Sequence, residues 1–150
     1  MKKRGMSGHF IFGLLLLLAI TLALVGCKKT NTSETYTLKV ASKAGIGSYL
    51  VNGKGMTLYY NTGDESGQSN VSASSLNDWP PVIISTFSVP SSLNKNDFSN
   101  TSAGYGQSQT TYKGWPLYYF INDKKAGDTL GNGVEGKWFV VIPTTLAEAP

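Results

Sequence analysis

The 150-residue chain has a single cysteine, Cys27, and a single histidine, His9, and only Met56 among its methionines lies beyond the first few residues. From residue 28 onward there is neither thiol nor imidazole. Zinc sites, blue copper and Ser/His/Asp or Cys/His catalysis all need one or both of these groups, so those chemistries are excluded from the folded part. No disulfide can form within the chain. Its domain must rest on an apolar core, and a domain of about 124 residues buries roughly two-thirds of its unfolded surface, which is enough. Charge is also scarce. Three of the 13 Lys/Arg precede residue 27, leaving ten against nine acids from Cys27 onward. A near-neutral surface lacks the concentrated basic charge that phosphate backbones require, so no nucleic-acid partner is expected.

What is present at the N-terminus is a targeting pattern. Lys2-Lys3-Arg4 is followed by a charge-free apolar run over residues 10–25, slightly shorter than the ~20 residues that span a bilayer. The run ends in Leu24-Val25-Gly26-Cys27, which resembles the lipobox of bacterial lipoproteins, whose cysteine is acylated and becomes the first residue of the mature chain. Residues 1–26 therefore read as a lipoprotein signal peptide with a signal helix, and Cys27 as the lipidation site. Residues 27–35 read as a polar, flexible tether to the extracytoplasmic side of a bacterial membrane. Residues 36–143 form the domain, and 144–150 a C-terminal tail.

The domain repeats itself. An offset of 59 carries Lys54-Gly55 onto Lys113-Gly114, Leu58-Tyr59-Tyr60 onto Leu117-Tyr118-Tyr119, and Asp64 onto Asp123. Without a gap, the same offset carries Trp79 onto Trp138, Val82 onto Val141 and Ile83 onto Ile142. Each copy has the short alternating and β-branched runs of strands, at 36–41, 48–51, 56–60 and 81–87, then 107–112, 115–121 and 137–142. One helical turn fits within 73–78. The fold class expected is all-β: two tandem modules forming one sandwich or partly closed barrel of about eight strands.

Alternation puts Met56, Leu58 and Tyr60 on one face and Thr57, Tyr59 and Asn61 on the other. By the repeat, Trp115, Leu117 and Tyr119 join the core face, and Tyr118 and Phe120 share the opposite one. Tyr59, Tyr118 and Phe120 are thus the ligand-binding candidates, and replacing Tyr118 or Phe120 should cost less stability than replacing Leu117 or Tyr119. Trp79 and Trp138 are assigned as core anchors. Asp64 and Asp123 each follow a strand and open a loop, a place where carboxylates bond backbone N–H groups, so both are assigned structural roles. Lys124 and Lys125 oppose a divalent ion in the loop after Asp123, so no metal and no cofactor are expected.

The segment from Tyr112 to Asp123, continued by Gly127-Asp128-Thr129 and Trp138-Phe139-Val140-Val141, resembles a family of secreted bacterial lipoproteins with the motif Y-x-(F/W/Y)-x-x-D, a repeat of unknown function. Tyr118, Phe120 and Asp123 fill that motif. In the first copy Tyr59 and Asp64 match while Asn61 replaces the ring, and Trp79-Pro80-Pro81 is similar to the family's W-P-P element. Val71 and Ser75 stand where many members have cysteines, so no redox role is carried over. The resemblance implies no activity. The residues favour a lipid-anchored extracytoplasmic binding or interaction domain, not an enzyme, with the membrane and a glycan or cell-envelope protein as partners. The alternatives are a carboxylate-dependent glycan-processing enzyme and a cell-surface electron-transfer accessory protein.

Overall fold

The computed structural model describes residues 36–102 and 106–150. The signal segment, Cys27 and the tether lie outside the described residues. The described residues belong to one compact unit. Its described part is mostly strand and turn, with 3-10 turns at Ser75–Asn77, Lys95–Asp97 and Val134–Gly136 as its helical elements. No helix among the described residues is long and apolar enough to cross a membrane.

Seven strands form three small sheets. Strands β1 (Leu38–Lys43) and β2 (Gly47–Asn52) make a hairpin. Strand β3 (Tyr59–Asn61) pairs with the distant β7 (Trp138–Val140). Strands β4 (Phe98–Ser102), β5 (Ser108–Tyr112) and β6 (Trp115–Pro116) form an antiparallel meander. The all-β class expected from sequence holds, and the sheets are small and none closes on itself.

Proline explains much of the shortfall in strand length. Residues 81–87 read as a strand, but Pro80 and Pro81 have no N–H to give a ladder, and only the Pro81–Tyr118 bridge forms there. Side chains take over: Thr110 Oγ1 accepts from the Ile84 N–H and Asn100 Nδ2 donates to the Ile84 carbonyl. The β5–β6 ladder ends after Pro116 because the Thr110 N–H turns to the Val82 carbonyl instead of returning to Leu117. Conversely, β4 lies inside a stretch that reads as loop, because beyond buried Phe98 its Ser-Asn-Thr-Ser run is the polar edge of a sheet. Residues 144–150, expected as a tail, are bound to the domain: Ala149 N–H donates to the Lys113 carbonyl, Ser66 N–H to the Pro150 carbonyl, and Trp115 Nε1 to the Ala147 carbonyl.

Where ladders stop, two closed rings of backbone hydrogen bonds hold the centre. Leu50 N–H donates to the Val141 carbonyl, Val141 N–H to Leu58, and Leu58 N–H back to Leu50, at 2.9, 3.1 and 3.0 Å. Thr110, Val82 and Leu117 close the same kind of ring at 2.8, 2.8 and 2.9 Å. All six residues are fully buried, where an unpaired peptide group would be costly, and each ring satisfies three peptides at the meeting point of three chain segments.

Two apolar clusters flank this framework. One contains Leu38, Leu50, Leu58, Val82, Leu117 and Val141, with Tyr60 and Tyr119 packed on it. The other contains Tyr49, Val51, Tyr59, Trp79, Tyr118, Trp138 and Val140, with Phe120 packed on it. Alternation sorts these residues correctly into two faces. Both faces are core.

Candidate functional site

The second cluster holds the five aromatic residues singled out from the sequence, Tyr59, Trp79, Tyr118 and Trp138 with Phe120 packed on them. Tyr59 and Tyr118 sit opposite one another and exchange both backbone bonds, each N–H to the other's carbonyl at 2.9 Å. Their side chains run to the loops opened by the two aspartates, and each reaches not the aspartate that follows it by five residues but the more distant one. The Tyr59 hydroxyl donates to Asp123 Oδ2 at 2.7 Å, and the Tyr118 hydroxyl donates to Asp64 Oδ2 at 2.8 Å while lying 2.6 Å from Ser69 Oγ. The remaining carboxylate oxygens bind the loops: Asp123 Oδ1 accepts from the Leu130 N–H at 2.9 Å, and Asp64 Oδ1 from the Asn70 N–H at 2.7 Å.

Between the two pairs lies an aromatic stack. The Trp79 and Trp138 rings are parallel within 2° with centroids 3.8 Å apart, and Phe120 adds a third layer on Trp79 at 4.3 Å. Tyr59 meets Trp79 edge-on at 5.5 Å, and Tyr118 meets Trp138 edge-on at 5.1 Å. Asn61, the counterpart of Phe120, is buried and turns its Oδ1 to the Gly63 N–H instead of adding a fourth ring.

These positions correct the sequence reading of Tyr59 and Tyr118. Both are fully buried rather than displayed on a binding face. Alternation separates two sides of a strand but does not say that one side is open, and here β7 and the Trp79 loop cover the second side. The expectation that Tyr118 is cheaper to replace than Leu117 falls with it. Phe120 differs: it is half-buried, with one face on Trp79 and another on an open groove beside Asp123. Trp79 and Trp138 lie in the core, and Asp64 and Asp123 hold loops, with the addition that each also anchors a tyrosine.

Electrostatics follow from burial. Desolvation, reinforced by the neighbouring Asp123 carboxylate, drives the Tyr59 phenol far above its ordinary value, so it stays a proton donor. Burial also raises the Asp64 carboxyl above its ordinary value, against the lowering effect of the Asn70 N–H and the Tyr118 hydroxyl. The folded state then holds that proton more tightly than the unfolded chain does. Stability from Asp64 should therefore be greatest below the unfolded pKa of about 4 and decline as pH rises through the higher folded value. Urea unfolding of the wild type and Asp64→Asn across this range checks it, since the variant should lose that declining component.

Sequence reasoning missed Gly131. A Cβ there would lie 2.8 Å from the Trp79 ring and 3.0 Å from that of Tyr59, and its N–H points at the Tyr59 hydroxyl at 3.3 Å. Gly131→Ala should cost about 1–3 kcal/mol by overpacking, read as a lowered unfolding midpoint. Nothing in the local sequence marks it, because the rings it touches are remote in the chain.

The arrangement satisfies polar groups and stacks rings. No buried side-chain N or O atom among the described residues lacks a partner, and no cluster of three or more His, Cys, Asp or Glu that could hold a metal occurs among them. Neither a curated protein nor a solved structure matches the chain. Residues 101–142, the segment carrying Tyr118, Phe120, Asp123 and Trp138, match a family model described as a secreted repeat of unknown function, in keeping with an extracellular or envelope location.

Proposed function

We propose that this chain is a lipid-anchored extracytoplasmic interaction domain, built as a duplication whose halves exchange the segments at Val82 and Val141, and that it is not an enzyme. The reciprocal contacts support the duplication. Tyr59–Asp123 and Tyr118–Asp64 are the same bond under the 59-residue offset, as are the backbone bonds from Thr62 to Lys137 and from Ile121 to Asp78. The segment at 82 belongs to the first copy but bonds Leu117 of the second, and that at 141 bonds Leu58 of the first.

One observation carries the functional reading: the motif carboxylates and tyrosines are engaged with each other, while two of the three exposed large apolar side chains among the described residues, Ile83 and Ile121 but not Leu130, border adjoining hollows. Each oxygen of Asp64 and Asp123 accepts a hydrogen bond, which leaves these carboxylates poor candidates for acid-base chemistry. Ile83 and Ile121 are 52% and 43% exposed, and Tyr119 lines both hollows. Isolated exposed apolar residues are ordinary, but two beside adjoining hollows that share the Tyr119 wall mark a contact surface.

Two measurements test this. The intact mass of chain extracted from membranes should correspond to a mature protein starting at acylated Cys27, and Cys27→Ser should move the protein to the soluble fraction. An uncut mass or unchanged partition overturns the anchor. Ile83→Ser combined with Ile121→Ser should change stability by no more than about 0.5 kcal/mol, as for surface positions. A loss of about 2 kcal/mol or more would assign both to the core and remove the contact surface.

A further inference from the structure

Two adjoining hollows share the wall formed by Asn52, Lys54 and Tyr119. One, of about 540 Å³, is bordered by Tyr36, Ile83 and Ile84; the other, of about 350 Å³, by Met56, Phe120 and Ile121. Their common floor is made rigid by the bond from Asn52 Nδ2 to the Tyr119 hydroxyl at 3.1 Å. The rim combines the exposed isoleucines with exposed Lys54. Apolar tips beside a cation are the composition of a surface that dips into a bilayer while its charge meets anionic headgroups.

The chain itself supplies the reason to choose a membrane as the occupant. Tyr36, the first described residue, lies in the wall of the larger hollow, and only residues 28–35 separate it from Cys27. Even fully extended, that tether reaches no more than about 30 Å. The face where it enters the domain is the one it holds nearest the anchor. Lys28 and Lys29, next to the acylation site, add positive charge at the same headgroup plane.

We infer that the groove face carrying Ile83, Ile121 and Lys54 docks on the lipid surface to which the chain is anchored, fixing the orientation of the domain rather than leaving it to swing on its tether. This rests on acylation of Cys27. Docking orients the groove-distal face outward as the side available to other molecules.

Acylation blocks the only native thiol, so Ile121→Cys in the full chain offers one reactive cysteine for a nitroxide. Asn96→Cys, in the exposed turn at Lys95–Asp97 outside the groove, is the reference. Each labelled, acylated protein is reconstituted into vesicles of phosphatidylethanolamine with phosphatidylglycerol, and label accessibility to oxygen and to a water-soluble nickel complex is compared. At 121 the ratio should favour oxygen several-fold over that at 96, and Lys54→Glu should shrink that advantage. Equal ratios at 121 and 96 in protein whose mass proves acylation overturn docking while leaving the anchor intact. A label at 121 shielded from both reagents points instead to a second copy of the chain over the groove, which also overturns it. A mass showing unmodified Cys27 refutes the anchor and the docking built upon it.

Discussion

Trp138→Ala is expected to lower unfolding stability by about 3–5 kcal/mol, the cost of emptying a large aromatic site in a well-packed core. The ring is 2% exposed and makes two separate contacts, the parallel stack on Trp79 at 3.8 Å and the edge of Tyr118 at 5.1 Å. Trp79→Ala should cost a similar amount, since it loses the same stack together with Phe120 and Tyr59. The double replacement should cost less than the sum of the two, because the stack can be lost only once. Near-ultraviolet circular dichroism gives an independent readout. Two indoles in parallel contact couple electronically, so either single variant should abolish a band that Trp115→Phe leaves in place. If the band survives Trp138→Ala, the indoles are not stacked in solution. Additive losses would have the same meaning.

Asp123→Ala should cost about 1–3 kcal/mol, because it takes the acceptor from the buried Tyr59 hydroxyl, while the Leu130 N–H that it also releases belongs to an exposed residue and can turn to water. Tyr59→Phe removes only the hydroxyl and should cost about 1–2 kcal/mol. The informative quantity is coupling. A double-mutant cycle should show Asp123 coupled to Tyr59, 64 residues away, and uncoupled from Tyr118, which shares its motif. Asp64 should couple to Tyr118 and not to Tyr59. Coupling within a motif instead of between motifs would dissolve the exchanged pairing and the reading of the domain as two interlocked halves. The comparison uses chemical denaturation monitored by tyrosine and tryptophan fluorescence, with both halves expected to unfold together. An interlocked arrangement has no half whose core is complete by itself, so a biphasic transition would also speak against it.

These two results separate what is local in this protein from what is not. The spacing of side chains along a strand is a local property, and alternation by itself divides Leu58, Tyr60, Leu117 and Tyr119 from Tyr59, Tyr118 and Phe120, as the two clusters are in fact divided. Composition alone removes thiol and imidazole chemistry from the domain, and residue type alone assigns Trp79 and Trp138 to the interior and the aspartates to their loops. Whether a strand's second side is open to water is decided by what arrives from elsewhere in the chain. Trp79 comes to lie against the Tyr59 ring and Trp138 of β7 against the Tyr118 ring, so a face that reads as a binding surface becomes a second core. The partner of each aspartate was hidden for the same reason. Local pattern places Asp123 five residues after Tyr118, yet the direction of the strand carries that tyrosine toward the other loop. Strand β4 and the bound C-terminal segment are likewise tertiary outcomes, since polar edge residues and a short terminal stretch acquire their partners only once the sheets are in place. Pairings between distant segments depend on the summed packing of both cores, and no window of the sequence contains that sum.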